Sequence, residues 1–158
     1  MEDYKLKEDA VDFHCSPHAI IKYPDSLFLG EHVAIDQFVT IGATAYLGDY
    51  VHIAPNVSVI GGQKSILRMG AFSGLSAGVR VIAGGDNFNT GKLTNPQVPF
   101  ELRDVFLSEV IIEDFCIVGT NAARRPTPRV LAAFRIPSPR RHSNGSSKAL
   151  ESPIHRRP

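Results

Sequence analysis

Residues 29–59 read LGEHVAIDQFVTIGATAYLGDYVHIAPNVSV, and the spacing inside this stretch decides the fold. Aliphatic residues recur every six positions: Leu29, Ile35, Ile41, Leu47, Ile53 and Val59. A second set follows four places behind each, at Val33, Val39, Ala45, Val51 and Val57, and extends backward to Leu27 and Ile21. An α-helix would repeat its apolar stripe at i, i+3, i+4 and i+7, so this spacing excludes one. Simple strand alternation would not hold a strict period of six.

Working outward, the phase slips by four after Val59, where Ile60-Gly61-Gly62-Gln63-Lys64 bulges between hexads. The pattern continues through Met69, Leu75 and Val81, with Ser73 and Val79 in the second place. A longer break runs from Asp86 to about Val110. The hexads resume at Ile112 and Val118, with Cys116 and Ala122 four positions on. Each hexad reads as a short strand plus a corner, and three hexads close a coil of about eighteen residues. Stacked coils form an all-β parallel β-helix with a column of aliphatic side chains inside, because no coil can bury its own face alone. About thirteen hexads make about four coils.

The whole chain has 158 residues, 43% of them hydrophobic and 21% charged, which suits one domain with a real core. No run reaches the ~20 apolar residues of a membrane span. The first residues, MEDYKLKEDAVDF, carry no apolar signal core, so a cytoplasmic protein is expected. Two cysteines, Cys15 and Cys116, are too few for a disulfide scaffold or a cysteine-based zinc site.

The net charge of +1 hides two compositions. Residues 1–123 carry a net −7 and residues 124–158 a net +8, and the latter hold 6 of the 11 prolines and 8 of the 11 arginines. The expected division is an N-terminal arm over 1–14, a β-helix over 15–123 with an external loop at 86–109, and an irregular basic tail over 124–158. Such a tail buries little apolar surface, and disorder is expected of it. Composition, charge and period all change near Ala123, which suggests a shifted reading frame or a degenerate end. The tail lacks aromatic interleaving and follows no nucleic-acid-binding fold, so no nucleic-acid partner is expected.

Three runs carry a resemblance: Val51-His52-Ile53-Ala54-Pro55-Asn56-Val57, Phe72-Ser73-Gly74-Leu75-Ser76-Ala77-Gly78, and Val118-Gly119-Thr120-Asn121-Ala122. They resemble the hexapeptide-repeat acyltransferases, and most of all the branch that acetylates sugars, over roughly residues 15–123. The resemblance implies a left-handed β-helix, a homotrimer, acetyl-CoA as acyl donor in a cleft between neighbours, no metal, and a sugar acceptor in surface-polysaccharide biosynthesis. Handedness rests on the resemblance alone, since the general crossover rule favours the other hand.

Acyl transfer needs a base for the acceptor's proton, a donor for the oxyanion, and fixed orientation. His52 is the candidate base: it falls between the inward Val51 and Ile53 and so faces out. Asp86, in the long loop, is expected to orient His52 or to bind the acceptor. Asn87 and Asn95 offer amides to sugar hydroxyls. By resemblance, Ser76, Ala77, Gly119, Asn121 and Ala122 line the path of the pantetheine arm. The galactoside-type relatives often carry a catalytic histidine in the long loop, and this loop has none. Two other readings remain: a non-catalytic β-helix, and a zinc enzyme of the γ-carbonic-anhydrase type, for which the repeats offer only His32 beside His52.

Overall fold

A computed structural model describes residues 12–124. The tail expectations for residues 125–158 therefore lie outside the described residues, as does most of the N-terminal arm.

The described chain is all-β, with two single-turn 3-10 segments, Pro24–Ser26 and Phe100–Leu102. Its strands are β1 His14–Cys15, β2 Ile20–Ile21, β3 Leu27–Leu29, β4 Ala34–Ile35, β5 Thr40–Ile41, β6 Thr44–Leu47, β7 His52–Ile53 and β8 Ser58–Ile60. They continue as β9 Ile66–Met69, β10 Gly74–Leu75, β11 Arg80–Ile82, β12 Gly84–Asp86, β13 Val105–Leu107, β14 Glu109–Ile112, β15 Ile117–Val118 and β16 Ala123–Arg124. Three parallel sheets form the sides of a prism. The first face is β1-β4-β7-β10-β15, the second β2-β5-β8-β11-β16 in space, and the third β3-β6-β9-β14. The third face counts four full coils, and the other two add two sides of a fifth.

The hexad residues point inward as their spacing predicts. Val33, Ile35, Val39, Ile41, Ala45, Ile53 and Val57 are wholly buried, and Leu47, Val51 and Val59 nearly so. Removing a side chain of this size from water contributes roughly 1.5–3 kcal/mol, so the column is the main source of cohesion. Ser73 takes a small corner place inside the column, its hydroxyl donating to the Gly70 carbonyl at 2.7 Å.

Register shows where coil length varies. Successive coils on the first face step by 20, 18, 22 and 43 residues, through His14↔Ala34, Ala34↔His52, His52↔Gly74 and Gly74↔Ile117. Every extra residue leaves by the edge between the second and third faces: Pro24–Ser26, the turn around Gly62, and the long excursion that opens at β12. One expectation is corrected here. Ile21 pairs with Ile41, not with the second set, because the Pro24–Ser26 turn adds two residues. A shift of two keeps a strand's inward parity, so the sequence period concealed it.

The other two edges are closed by residues in the left-handed backbone region. His32, Tyr50, Phe72 and Phe115 occupy it between the third and first faces, with φ from 55° to 58°. Phe38, Asn56, Gly78 and Asn121 do so between the first and second. Bulky side chains rarely accept this conformation. Here the coil spacing of about 4.8 Å suits ring stacking. The rings of His32, Tyr50, Phe72 and Phe115 accordingly lie 4.6, 4.7 and 5.2 Å apart in sequence.

Candidate functional site

His52 opens β7 on the first face, with its side chain outward and 57% exposed. Its neighbours across the sheet are Ala34 and Gly74, both too small to cover the ring. The imidazole Nε2 lies 2.9 Å from Asp36 Oδ2. A carboxylate only accepts, so Nε2 is the donor in this pair, and the lone pair of a neutral ring falls on Nδ1. Asp36 follows β4 and is fixed by its own backbone, whose N–H donates to the Ile53 carbonyl at 2.9 Å. The sequence offers Asp86 either to orient His52 or to bind the acceptor; within the chain the carboxylate beside His52 is that of Asp36.

Asp36, Ala54, Ser76 and Gly119 hold the same position in successive coils: the N–H groups of Asp36, Ala54 and Ser76 donate to the carbonyls of Ile53, Leu75 and Val118 one coil on, and Gly119 follows Val118. The expected cofactor residues Ser76, Ala77, Gly119, Asn121 and Ala122 therefore share one edge of the prism with the His52–Asp36 pair. Asn121 N–H donates to Ala77 O at 3.0 Å, and Ala122 N–H to Gly119 O at 3.1 Å. Gly78 takes at this edge the place that Phe38, Asn56 and Asn121 take in other coils. Its φ is +72°, and a Cβ there would collide with Asn121 Oδ1. Arg80 ties the same edge together, one guanidinium nitrogen reaching the carbonyls of Asn56 at 2.8 Å and Gly78 at 2.6 Å.

Asp86, Asn87 and Asn95 lie elsewhere. Their excursion leaves the edge between the second and third faces, which in a triangular prism is opposite the first. Within one chain they do not meet His52. The excursion is an organised arm: β12 and β13 pair antiparallel, Asp86 opposite Val105. Its base is closed by Ser108, whose N–H and hydroxyl both donate to Ala83 O, at 2.9 and 2.6 Å. Arg103 donates to Asp86 Oδ1 from Nε at 3.0 Å and from Nη2 at 2.6 Å. Asn87 donates through Nδ2 to Asp104 Oδ2 at 3.3 Å, while Asn95 Oδ1 accepts from the Gln97 N–H at 2.9 Å. Both side chains thus serve the arm's own shape, and Asn95 stays exposed.

A groove of about 660 Å³ on the third face escaped the sequence reading. Its ridge is Phe28 stacked on Tyr46 at 4.6 Å, with the Arg68 guanidinium 4.1 Å above the Tyr46 ring centre and 2.5 Å from Glu109. The available signal was that Phe28, Tyr46 and Arg68 are separated by coil lengths. His32 is stacked on Tyr50 and lies 3.2 Å from Asp12, on a different edge from the His52–Asp36 pair. Among the described residues no three or more His, Cys, Asp or Glu side chains gather as a metal site. Of the two thiols, burial pushes the Cys15 thiol up, and Cys116 is buried among the coils.

No family model matches this chain. It is 25% identical over 128 residues to a dTDP-4-amino-4,6-dideoxy-D-glucose acyltransferase of Escherichia coli, a match covering 79% of this chain and 61% of that protein. Among solved structures it superposes on AntD, an N-acyltransferase of Bacillus cereus, seen with dTDP-4-amino-4,6-dideoxyglucose and coenzyme A. The TM-score is 0.68 at 26% identity, over 72% of this chain and 60% of that one. A second AntD structure, with dTDP and 3-hydroxybutyryl-CoA, gives 0.64 at 29% identity, over 68% and 57%. AntD has also been solved with substitutions at a serine and at an aspartate ten residues apart. The chain spans about three-fifths of the length of these relatives. The expected β-solenoid and the likeness to sugar acyltransferases that use coenzyme A thioesters are thus found together.

Proposed function

We propose that the chain transfers an acyl group from a coenzyme A thioester to the amino group of a nucleotide-linked sugar. The His52–Asp36 pair carries this reading, because it supplies a base on the edge that also holds Ser76, Ala77, Gly119, Asn121 and Ala122. The acceptor amine attacks the thioester carbonyl, His52 Nδ1 takes the amine's proton, and a C–N bond forms. Collapse of the tetrahedral oxyanion breaks the C–S bond, and the proton passes from His52 to the departing thiolate. Asp36 stabilises the imidazolium between these steps and keeps Nδ1 aimed outward.

Ser76 and the edge of Ala77, Gly119, Asn121 and Ala122 line the donor's arm. The relatives' ligands favour a dTDP-linked 4-amino sugar as acceptor. Ser76 and Asp86 stand ten residues apart, as do the serine and aspartate substituted in AntD, which supports placing both in the site. Because the arm lies opposite its own His52, Asp86, Asn87 and Asn95 serve the His52 of another copy, in a homotrimer. We infer that the reaction takes place in the cytoplasm, ahead of the sugar's use in a surface polysaccharide.

The test is direct: incubate the full chain with acetyl-CoA or 3-hydroxybutyryl-CoA and dTDP-4-amino-4,6-dideoxyglucose. Stoichiometric release of thiol together with the amide product by mass spectrometry is expected. Absence of both, on a sample that melts cooperatively and shows no thermal shift with acyl-CoA, overturns the reading.

A further inference from the structure

Asp86 and Arg103 form the most enclosed ion pair among the described residues, with side chains only 10% and 15% exposed. Two features separate this pair from an ordinary surface salt bridge. Both guanidinium contacts fall on a single oxygen, Oδ1, whereas an Arg–carboxylate fork usually spreads over both. Oδ2 accepts no hydrogen bond among the described residues. It also keeps contact with solvent: the one fully buried side-chain polar atom without a partner there is Arg124 Nε. The carboxylate is therefore held by one oxygen and presents the other.

Arg103 is itself well fixed. It follows the Phe100–Leu102 turn, and its N–H donates to Phe100 O at 3.1 Å. It bridges to Leu93 across the arm, and the next residue, Asp104, holds Asn87 by both backbone and side chain, at 2.8 and 3.3 Å. The far side of the arm thus fixes the guanidinium, and the guanidinium fixes Asp86. The β12–β13 pairing sets the distance between them by placing Asp86 opposite Val105.

We propose that Arg103 is a positioning residue: it holds Oδ1 of Asp86 so that Oδ2 stays open to receive the acceptor's amino group. This rests on the proposed function and adds the device that would select an amine. An anionic oxygen with no donor of its own accepts from –NH₂ or –NH₃⁺ at a fixed point, and the guanidinium keeps the carboxylate from turning away. Arg103 makes no contact with substrate in this arrangement.

The test compares wild type, Arg103→Ala, Arg103→Lys and Asp86→Asn in the full chain. It measures KM for the amino sugar, KM for acyl-CoA, and calorimetric binding of the nucleotide-linked amino sugar against dTDP alone. Arg103→Ala is expected to raise the amino-sugar KM and Kd about tenfold, the effect of losing one charge-assisted contact. Affinity for dTDP and KM for acyl-CoA should stay near wild type, and Arg103→Lys should recover part of the loss. Equal weakening of dTDP and the amino sugar, or a lysine variant no better than alanine, would show a merely structural role and overturn the proposal. An active wild type with an unchanged Arg103→Ala variant overturns this proposal alone. A wild type that neither binds the amino sugar nor acylates it overturns the function and this proposal together.

Discussion

Asp36 Oδ2 lies 2.9 Å from His52 Nε2 although the two residues are 16 apart in sequence. One turn of the solenoid brings the end of β4 beside the start of β7, so the pair is made by coil length and not by local sequence. His52→Asn should lower kcat by about 10²–10⁴-fold, the usual worth of a positioned base. Asp36→Asn should cost a similar factor, up to about 10⁴-fold, because an amide can donate to Nε2 and favour the tautomer that leaves no lone pair on Nδ1. Both side chains are partly exposed, so melting temperatures should hardly move. Thiol-release kinetics and thermal melts check the two halves of this expectation, and an active His52→Asn variant removes His52 as base.

The separation of His52 from the Asp86 arm predicts complementation between copies. His52→Asn and Asp86→Asn chains should each be nearly inactive. Unfolded and refolded together in equal amounts, they should regain about a quarter of the wild-type rate. In a random trimer about that share of sites pairs an intact His52 with an intact Asp86 from a neighbour. No recovery in a mixture shown to exchange subunits would place both groups of a site on the same copy.

Stability should be unequal among glycines that look alike in sequence. A Cβ on Gly70 would collide with Asp114 Oδ1 and with backbone N of the same residue, and Asp114 Oδ1 already accepts the Ala71 N–H at 2.8 Å. Gly70→Ala should therefore cost about 1–3 kcal/mol. Gly62, with nothing within 4 Å of an added Cβ, should tolerate alanine or gain about 0.4–1 kcal/mol from a less flexible unfolded chain. Urea unfolding of the two variants decides it.

Thiol chemistry should be quiet at neutral pH. Burial raises the Cys15 thiol above its ordinary range, so its thiolate fraction at pH 8 is smaller than that of free cysteine. Alkylation followed by mass spectrometry should show Cys15 reacting more slowly than free cysteine at pH 8 and accelerating as the pH rises further. A rate at pH 8 matching free cysteine would contradict the burial.

The period of six made the solenoid, its inward column and the outward stance of His52 legible, because a buried strand position constrains residue type at every coil. What faces out carries no such constraint. Asp36 went unseen because finding it requires the length of the intervening coil. Phe28, Tyr46 and Arg68 went unseen because their column is polar, aromatic and unevenly spaced. Ile21 falls into the wrong set by spacing alone because an insertion of two preserves parity. That Asp86 does not stand beside the His52 of its own chain is illegible in sequence, which does not say which edge a long loop leaves, whereas the register does.

That edge has a wider consequence. Two edges of the prism are sealed by stacked side chains and left-handed residues, where a single added residue would break the ladder. The third accepts turns of very different length while the sheets keep their pairing on both sides. The scaffold thus confines its variation to one seam. Under the proposed function, a change of acceptor would need only a rewritten arm there, with the His52–Asp36 side left as it is.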